Sequence, residues 1–331
     1  MQLSTALVLA AAMCGAPVSP VWAQGPQGLQ AGNWPTKLVK IVVPFAPGST
    51  PDIVARILAD GLQQKFASSA FVVENKPGAS GNIGTDAVAK AAPDGSTIGV
   101  SIGGPLAINT VLFSRLPYDP SKDIAAVTLL AIQPSVLVVN TSLGVDSVAG
   151  LIALLKKDPG KYTYGSIGVG SLSHLAMEAI GQKAGAKMVH LPLQGSPAAM
   201  TALLRDDVQI ALLPSIAVTP QLESGTLRIL AISTGKRSHF LPDTVTLKEA
   251  GIDLEADAWL GLIAPAGTSP AILARMQALA SAVITSPAAR DKLAAQQMEP
   301  VGSTAAEFRA VIDAEIGRWE PLIKAAGIRI N

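Results

Sequence analysis

The chain has 331 residues, of which 49% are hydrophobic and 15% charged, with a formal net charge of +1. This balance excludes a disordered chain, which needs low hydrophobicity and high net charge. It also supplies no basic excess to neutralise nucleic-acid phosphates.

Residues 1–23 read as an export signal. Thr5 to Met13 forms an apolar core, and Val21-Trp22-Ala23 sets small residues three and one before a cut at Ala23–Gln24. The stretch before that core carries no Lys or Arg. Cys14 is the only cysteine, and Met13 before it is not the small residue a lipoprotein signal needs. Cleavage therefore leaves a mature chain with no disulfide, no thiolate nucleophile and no Cys-ligated metal. Residues 24–33, of Gly, Pro, Gln and Asn, are expected to be a disordered tail. The expected location is the periplasm. Beyond the signal, no stretch reaches the ~20 unbroken apolar residues of a spanning helix.

From there one unit recurs: a short apolar strand, a loop of Gly, Ser and Pro, and a helix. Leu38 to Phe45 reads as a strand buried on both faces. Ala46-Pro47-Gly48-Ser49-Thr50 breaks it, with Thr50 as the expected cap and Pro51 as the first helical residue. Ile53, Val54, Ile57, Leu58 and Leu62 then share one helical face. The next units are Phe71–Glu74 with a helix over Thr85–Ala91, and Thr97–Ile102 with Leu106–Phe113. Three more follow: Tyr162–Ile167 with Leu172–Ala184, Met188–Leu193 with Ala198–Leu204, and Val208–Leu213 with a helix through Gln221–Ser224. Ser121–Asn140, a strand pair interrupted by Pro, is a candidate crossover. Trp259–Pro265 is a candidate return. Pro270–Ile284, Pro287–Gln297 and Ala305–Ala326 read as closing helices.

Alternating strands and helices predict parallel sheets covered on both faces. Ligands bind beyond the carboxyl ends of such strands. Two batches of units, divided near residue 130, suggest two sheets with a cleft between them.

Several chemistries lack their residues. There is no G-x-x-x-x-G-K-[ST] phosphate loop and no G-x-S-x-G nucleophile elbow. Gly165 to Gly170 lacks the third glycine of a dinucleotide fingerprint. His174, His190 and His239 match no local metal spacing and read as structural or surface residues. No catalytic residue, metal or cofactor is expected.

What the loops do supply is backbone N–H groups at helix N-termini, which hold anions by hydrogen bonding and by the helix dipole. Gly48, Gly78, Gly81 and Gly170 permit close approach, and Ser49, Ser80, Ser166 and Ser171 add hydroxyls. Lys76 is the only cation within these loops, which favours a carboxylate over a polyphosphate. Asp52, in a first helical turn, either complements the dipole or accepts a hydrogen bond from a ligand hydroxyl or amine.

In these motifs the chain resembles the solute-binding proteins of tripartite tricarboxylate transporters, the Bug proteins. The motifs are Trp34-Pro35-Thr36-Lys37 through Ile41 to Gly48 with Asp52 and Ala55-Arg56, Asn75 to Gly84 with Ala92-Pro93-Asp94-Gly95, and Tyr164-Gly165-Ser166 with Gly168, Gly170-Ser171 and His174-Leu175. Leu260-Gly261-Leu262 with Ala264 to Thr268, Glu299 to Gly302, and Ile316 to Trp319 complete the pattern over residues 33–330.

The resemblance implies a type II periplasmic-binding-protein fold of two α/β domains, 34–134 with 257–331 and 135–256. It implies a monomer that captures a small carboxylate for membrane transporter subunits. Phe45, Gly48, Ser49, Gly78, Ala79 and Ser80 would line one wall. Ser166, Gly168, Ser171, Gly195 and Ser196 would line the other. Ser49 stands where the family has a second Gly, and Leu193-Gln194 where it has Tyr and a cation. Leu213 stands where an acidic residue is frequent, which suggests a less polar ligand end, as in an aromatic or aliphatic mono- or dicarboxylate. A receptor partner in signalling and a periplasmic hydrolase are the competing readings.

Overall fold

The computed structural model describes residues 34–330. The expected signal over 1–23 and tail over 24–33 lie outside them. The run Leu38–Val43 forms strand β1, and Gly48 at φ 79° turns the chain into helix α1, Thr50–Lys65. β2 (Ala70–Asn75), α2 (Asn82–Ala89) and β3 (Thr97–Ile102) follow. β1 pairs in parallel with both β2 and β3. A turn over Gly104–Ile108 leads into α3, Asn109–Leu112.

The crossover lies where the Pro-broken pair predicts it. β4 (Ile124–Gln133) belongs to the first sheet, Pro134 ends it, and β5 (Ser135–Asn140) opens the second. Proline has no N–H to continue a ladder, so the strand stops and the chain changes sheets. The second sheet adds β6 (Thr163–Ser166), β7 (Val189–Pro192), β8 (Ile210–Pro214) and β9 (Leu227–Ile232). Between these strands lie α4 (Val148–Lys157), α5 (Leu172–Ala184), α6 (Gly195–Leu204) and α7 (Ser215–Val218). The chain returns through β10 (Ala258–Pro265) and closes with α8 (Pro270–Ile284), α9 (Pro287–Ala294), β11 (Glu299–Pro300) and α10 (Ala305–Ala326).

The sheet orders are β11-β4-β10-β3-β1-β2 and β7-β6-β8-β5-β9. The expectation of parallel sheets holds for β1 with β2 and β3 and for β6 with β7 and β8, and needs correction elsewhere. β10 runs antiparallel to both β3 and β4, and β5 antiparallel to both β8 and β9. The strand that leaves a sheet and the strand that returns to it necessarily run in opposite senses. Register then fixes what meets at the crossover. Ala258 pairs with Gln133 and Leu260 with Ile102, while Ser135 pairs with Pro214. The loops after β1, β3, β6 and β8 therefore all open toward one gap between the sheets.

Alternation along β1 sends Val39, Ile41 and Val43 into a core with Val54, Leu58, Leu62 and Met276. Val42 points to the opposite core, with Val88, Leu106, Trp259 and Phe308. In the second sheet Leu137 and Val139 pack with Leu175 and Ile180, and Val136 and Val138 with Ala199 and Leu203. Both sheets are thus covered on both faces. Helix α10 serves both halves. Phe308 and Ile312 pack under the first sheet, while Trp319, Leu322 and Ile323 join the second sheet's core. Its expected place wholly within the first domain leaves out this packing. Among the described residues no single helix is long and apolar enough to cross a membrane.

Candidate functional site

The first wall is the N-terminal end of α1 and the loop before it. Ser49, not Thr50, is the N-cap, and its hydroxyl caps nothing. The Ser49 Oγ is buried and meets no hydrogen-bond partner. Five other helices differ. Ser147, Ser171, Ser269, Ser286 and Thr304 each accept a backbone N–H of the first turn of α4, α5, α8, α9 and α10. The start of α1 alone among these lacks a side-chain cap, and the charged group in its first turn is Asp52.

Asp52 has a different task from the ligand contact considered above. Its Oδ2 accepts the Gly48 N–H at 2.9 Å and Arg56 Nε at 2.9 Å. Its Oδ1 accepts Arg56 Nη2 at 3.0 Å and Asn75 Nδ2 at 2.9 Å. With both oxygens engaged, the carboxylate holds the loop in place. Burial opposes its charge, but Arg56, the Gly48 amide and Asn75 outweigh that and hold it below the usual carboxylate range.

The second element of this wall is the turn 78–81, where four successive residues have positive φ: Gly78 129°, Ala79 47°, Ser80 53° and Gly81 88°. Ala79 and Ser80 sit in the left-handed region that costs non-glycine residues about 1 kcal/mol each. Asn109 holds the turn, donating to Ser80 O at 3.1 Å and to Asn82 Oδ1 at 2.7 Å. At Gly81 a side chain has no room, since an added Cβ would lie 2.6 Å from Pro105 Cγ and 2.8 Å from Phe45 Cζ.

The opposite wall is the loop between β6 and α5. Ser171 donates to Gly168 O at 2.6 Å, and Ser173 Oγ accepts the Ile167 N–H at 3.0 Å. His174 Nδ1 accepts the Gly170 N–H at 3.0 Å. Behind the loop His174 stacks on His190 with centroids 4.0 Å apart, and His190 stacks on Tyr164 at 4.9 Å. Burial, with His190 adding to it, pushes His174 down to about 4, and burial also lowers His190. Ser166 pairs with His190 Nε2 at 2.8 Å, but it is 0% exposed and lies behind the wall. The pair is a structural support and presents no nucleophile to the gap.

Between the walls is a cavity of about 470 Å³. Phe45, Ser49, Ser80, Gly168, Ser171 and Ser196 line it. Gly48, Asp52, Gly78, Ala79, Ser166 and Gly195 support or flank the lining without forming it. Leu213 is the clearest correction. It is 0% exposed and packs with Val136, Ala199 and Leu203, so it says nothing about ligand polarity. Its neighbour Pro214 reaches the cavity instead.

Sequence reasoning missed Gln133, Asp257, Trp259 and Glu315, which also line the space. Burial pushes Asp257 up to about 7, with Glu255 and Glu315 adding to this and Ser233 and Arg318 opposing it. Burial likewise raises Glu315, against Trp319, Arg318 and Trp259. The available signals were the acidic residue just before the return strand and the i, i+4 pair Glu315–Trp319. No Lys or Arg lines the cavity. Among the described residues no group of three His, Cys, Asp or Glu could hold a metal.

A hydroxyl-bearing, cation-free cavity at strand ends suits a small anion held by backbone amides. The profile of the family described as "Tripartite tricarboxylate transporter family receptor" matches residues 54–328. Protein BugT of Bordetella pertussis is 35% identical over 305 residues, covering 92% of this chain and 93% of BugT. A structure of R. palustris Rpa4515 with adipate is 34% identical with a TM-score of 0.78, covering 90% of this chain and all but 1% of that one (99%). MatC from Rhodopseudomonas palustris, solved with bound malate, is 28% identical with a TM-score of 0.72, covering 88% of this chain and 100% of its own. By the reach of that match and the identity to BugT, the chain belongs to the tripartite tricarboxylate transporter receptor family.

Proposed function

We propose that this protein captures a small carboxylate in the cleft and delivers it to the membrane subunits of a tripartite transporter. The observation that carries the reading is the N-terminus of α1, where Ser49 lines the cavity and its hydroxyl caps no backbone N–H. A carboxylate there satisfies orphan N–H groups and gains the helix dipole. Relatives solved with adipate and malate support the ligand class. The protein acts as an exported monomer in the periplasm and turns nothing over. Its lobes are 34–134 with 257–331 and 135–256, hinged at Pro134 and at Ala256–Asp257, and they close on the ligand.

The test is thermal unfolding of residues 24–331, refolded to strip any carried-over ligand, against a panel of small carboxylates. A ligand at about 100 times its Kd adds about 2.7 kcal/mol, a visible rise in Tm. A rise with at least one carboxylate, weakened in Ser49→Ala, is expected. No rise with any carboxylate at millimolar concentration overturns the reading.

A further inference from the structure

The β6–α5 wall meets the first wall's support at Gly170. This residue lines the cavity with φ 74°, and it has no room for a side chain, because an added Cβ would fall on Leu112 Cδ2. Leu112 ends α3, and three residues earlier on the same helix face Asn109 holds the 78–81 turn of the opposite wall. The Gly170 N–H is committed behind the wall, where it donates to His174 Nδ1 at 3.0 Å. His174 lies in the first turn of α5, with its own N–H on Ser171 Oγ at 3.3 Å. Helical side chains tilt toward the N-terminus, so the imidazole reaches the residue four before it. The ring is buried and stacked on His190. Burial, with His190 adding to it and Glu178 opposing it, pushes its pKa down, so at pH 7 it is neutral and Nδ1 keeps its lone pair.

We infer that His174 is the positioning residue of this wall, and that its Nδ1 lone pair, acting through the Gly170 N–H, sets the affinity for ligand. This rests on the carboxylate reading above. The other ties of the loop, Ser171 Oγ to Gly168 O and the Ile167 N–H to Ser173 Oγ, leave the Gly170 amide untouched. Without Nδ1 that amide is a buried donor with no acceptor. The loop must then turn it toward water, which shifts the Gly168–Ser171 backbone along the cavity and lifts Gly170 off Leu112.

Two substitutions separate the lone pair from the ring. His174→Asn keeps a side-chain acceptor and gives up the stack, whereas His174→Phe keeps a ring against His190 and gives up the acceptor. The probes are succinate, adipate, malate, butyrate, hexanoate and benzoate, titrated calorimetrically at pH 7 into refolded protein, with circular dichroism confirming that each variant folds. For the tightest probe, His174→Phe should bind about tenfold or more weaker than wild type, and His174→Asn within about threefold of it, even where His174→Asn is the less stable of the two. The Gly170 amide should be protected from hydrogen exchange in wild type and in His174→Asn, and should lose that protection in His174→Phe. Folded His174→Phe that binds as tightly as wild type, folded His174→Asn that binds as weakly as His174→Phe, or a Gly170 amide unprotected in wild type overturns this inference alone. Binding of none of the probes by wild type overturns the carboxylate reading and this inference with it.

Discussion

The Gly48 N–H donates to the Asp52 carboxylate at 2.9 Å, which ties the first turn of α1 back to the loop before it. The same carboxylate takes Arg56 and Asn75, so one side chain joins β1, α1 and β2 at the edge of the cleft. Asp52→Ala leaves the Gly48 and Asn75 donors without their acceptor and should cost about 1–3 kcal/mol in urea unfolding. The carboxyl is held below its usual range, so its contribution is present at neutral pH and lost as pH falls through that lowered value. The stability gap between wild type and Asp52→Ala should therefore close in acid. A gap that persists at pH 2 would contradict the assignment.

The stacked histidines predict a second pH dependence. His174 is pushed down to about 4, so between about pH 6.5 and 4 the unfolded chain binds a proton that the folded chain refuses. Stability falls as pH drops through this window, by up to about 3 kcal/mol from this group. Glu178 acts in the opposite sense, favouring the charged form. His174→Gln removes the titration, so its deficit relative to wild type should shrink between pH 7 and pH 5. An unchanged deficit would show that His174 is not held neutral.

The return strand passes tightly beneath α10. A methyl added at Gly261 would fall on the Phe308 ring, which itself meets Trp259 edge-on at 5.6 Å. Gly261→Ala should cost about 3 kcal/mol. Adding Phe308→Leu should return part of that loss, because the two sites share one space. Strictly additive losses in denaturant titrations would refute the packing account.

Leu213 predicts a separation of stability from specificity. It fills the second sheet's core, so Leu213→Ala should cost about 2–5 kcal/mol. The order in which ligands bind should not change. A reordering would restore Leu213 to the cleft.

Local patterns carried much of this architecture. Thr97–Ile102, Leu172–Ala184 and Ala305–Ala326 occupy the bounds their sequences predict, because each has a period and a cap or breaker at its ends. Pro134 marked the crossover for the same reason. The antiparallel return was hidden, since β10 pairs with strands more than a hundred residues away. The facing of Leu213 was hidden too. β8 is buried on both faces, so alternation could not say which side met the cleft. Asp257 and Glu315 come from the residue before a strand and from a helix far apart in the chain, and only tertiary packing brings them to one cavity.

The central claim is that a carboxylate sits on the uncapped start of α1. The most direct test is a crystal structure of the protein with the tightest acid from the panel. The account predicts one carboxylate within hydrogen-bond distance of Ser49 Oγ and of the backbone amides at the start of α1. A ligand bound elsewhere, or one whose carboxylate turns to the opposite wall, would contradict it.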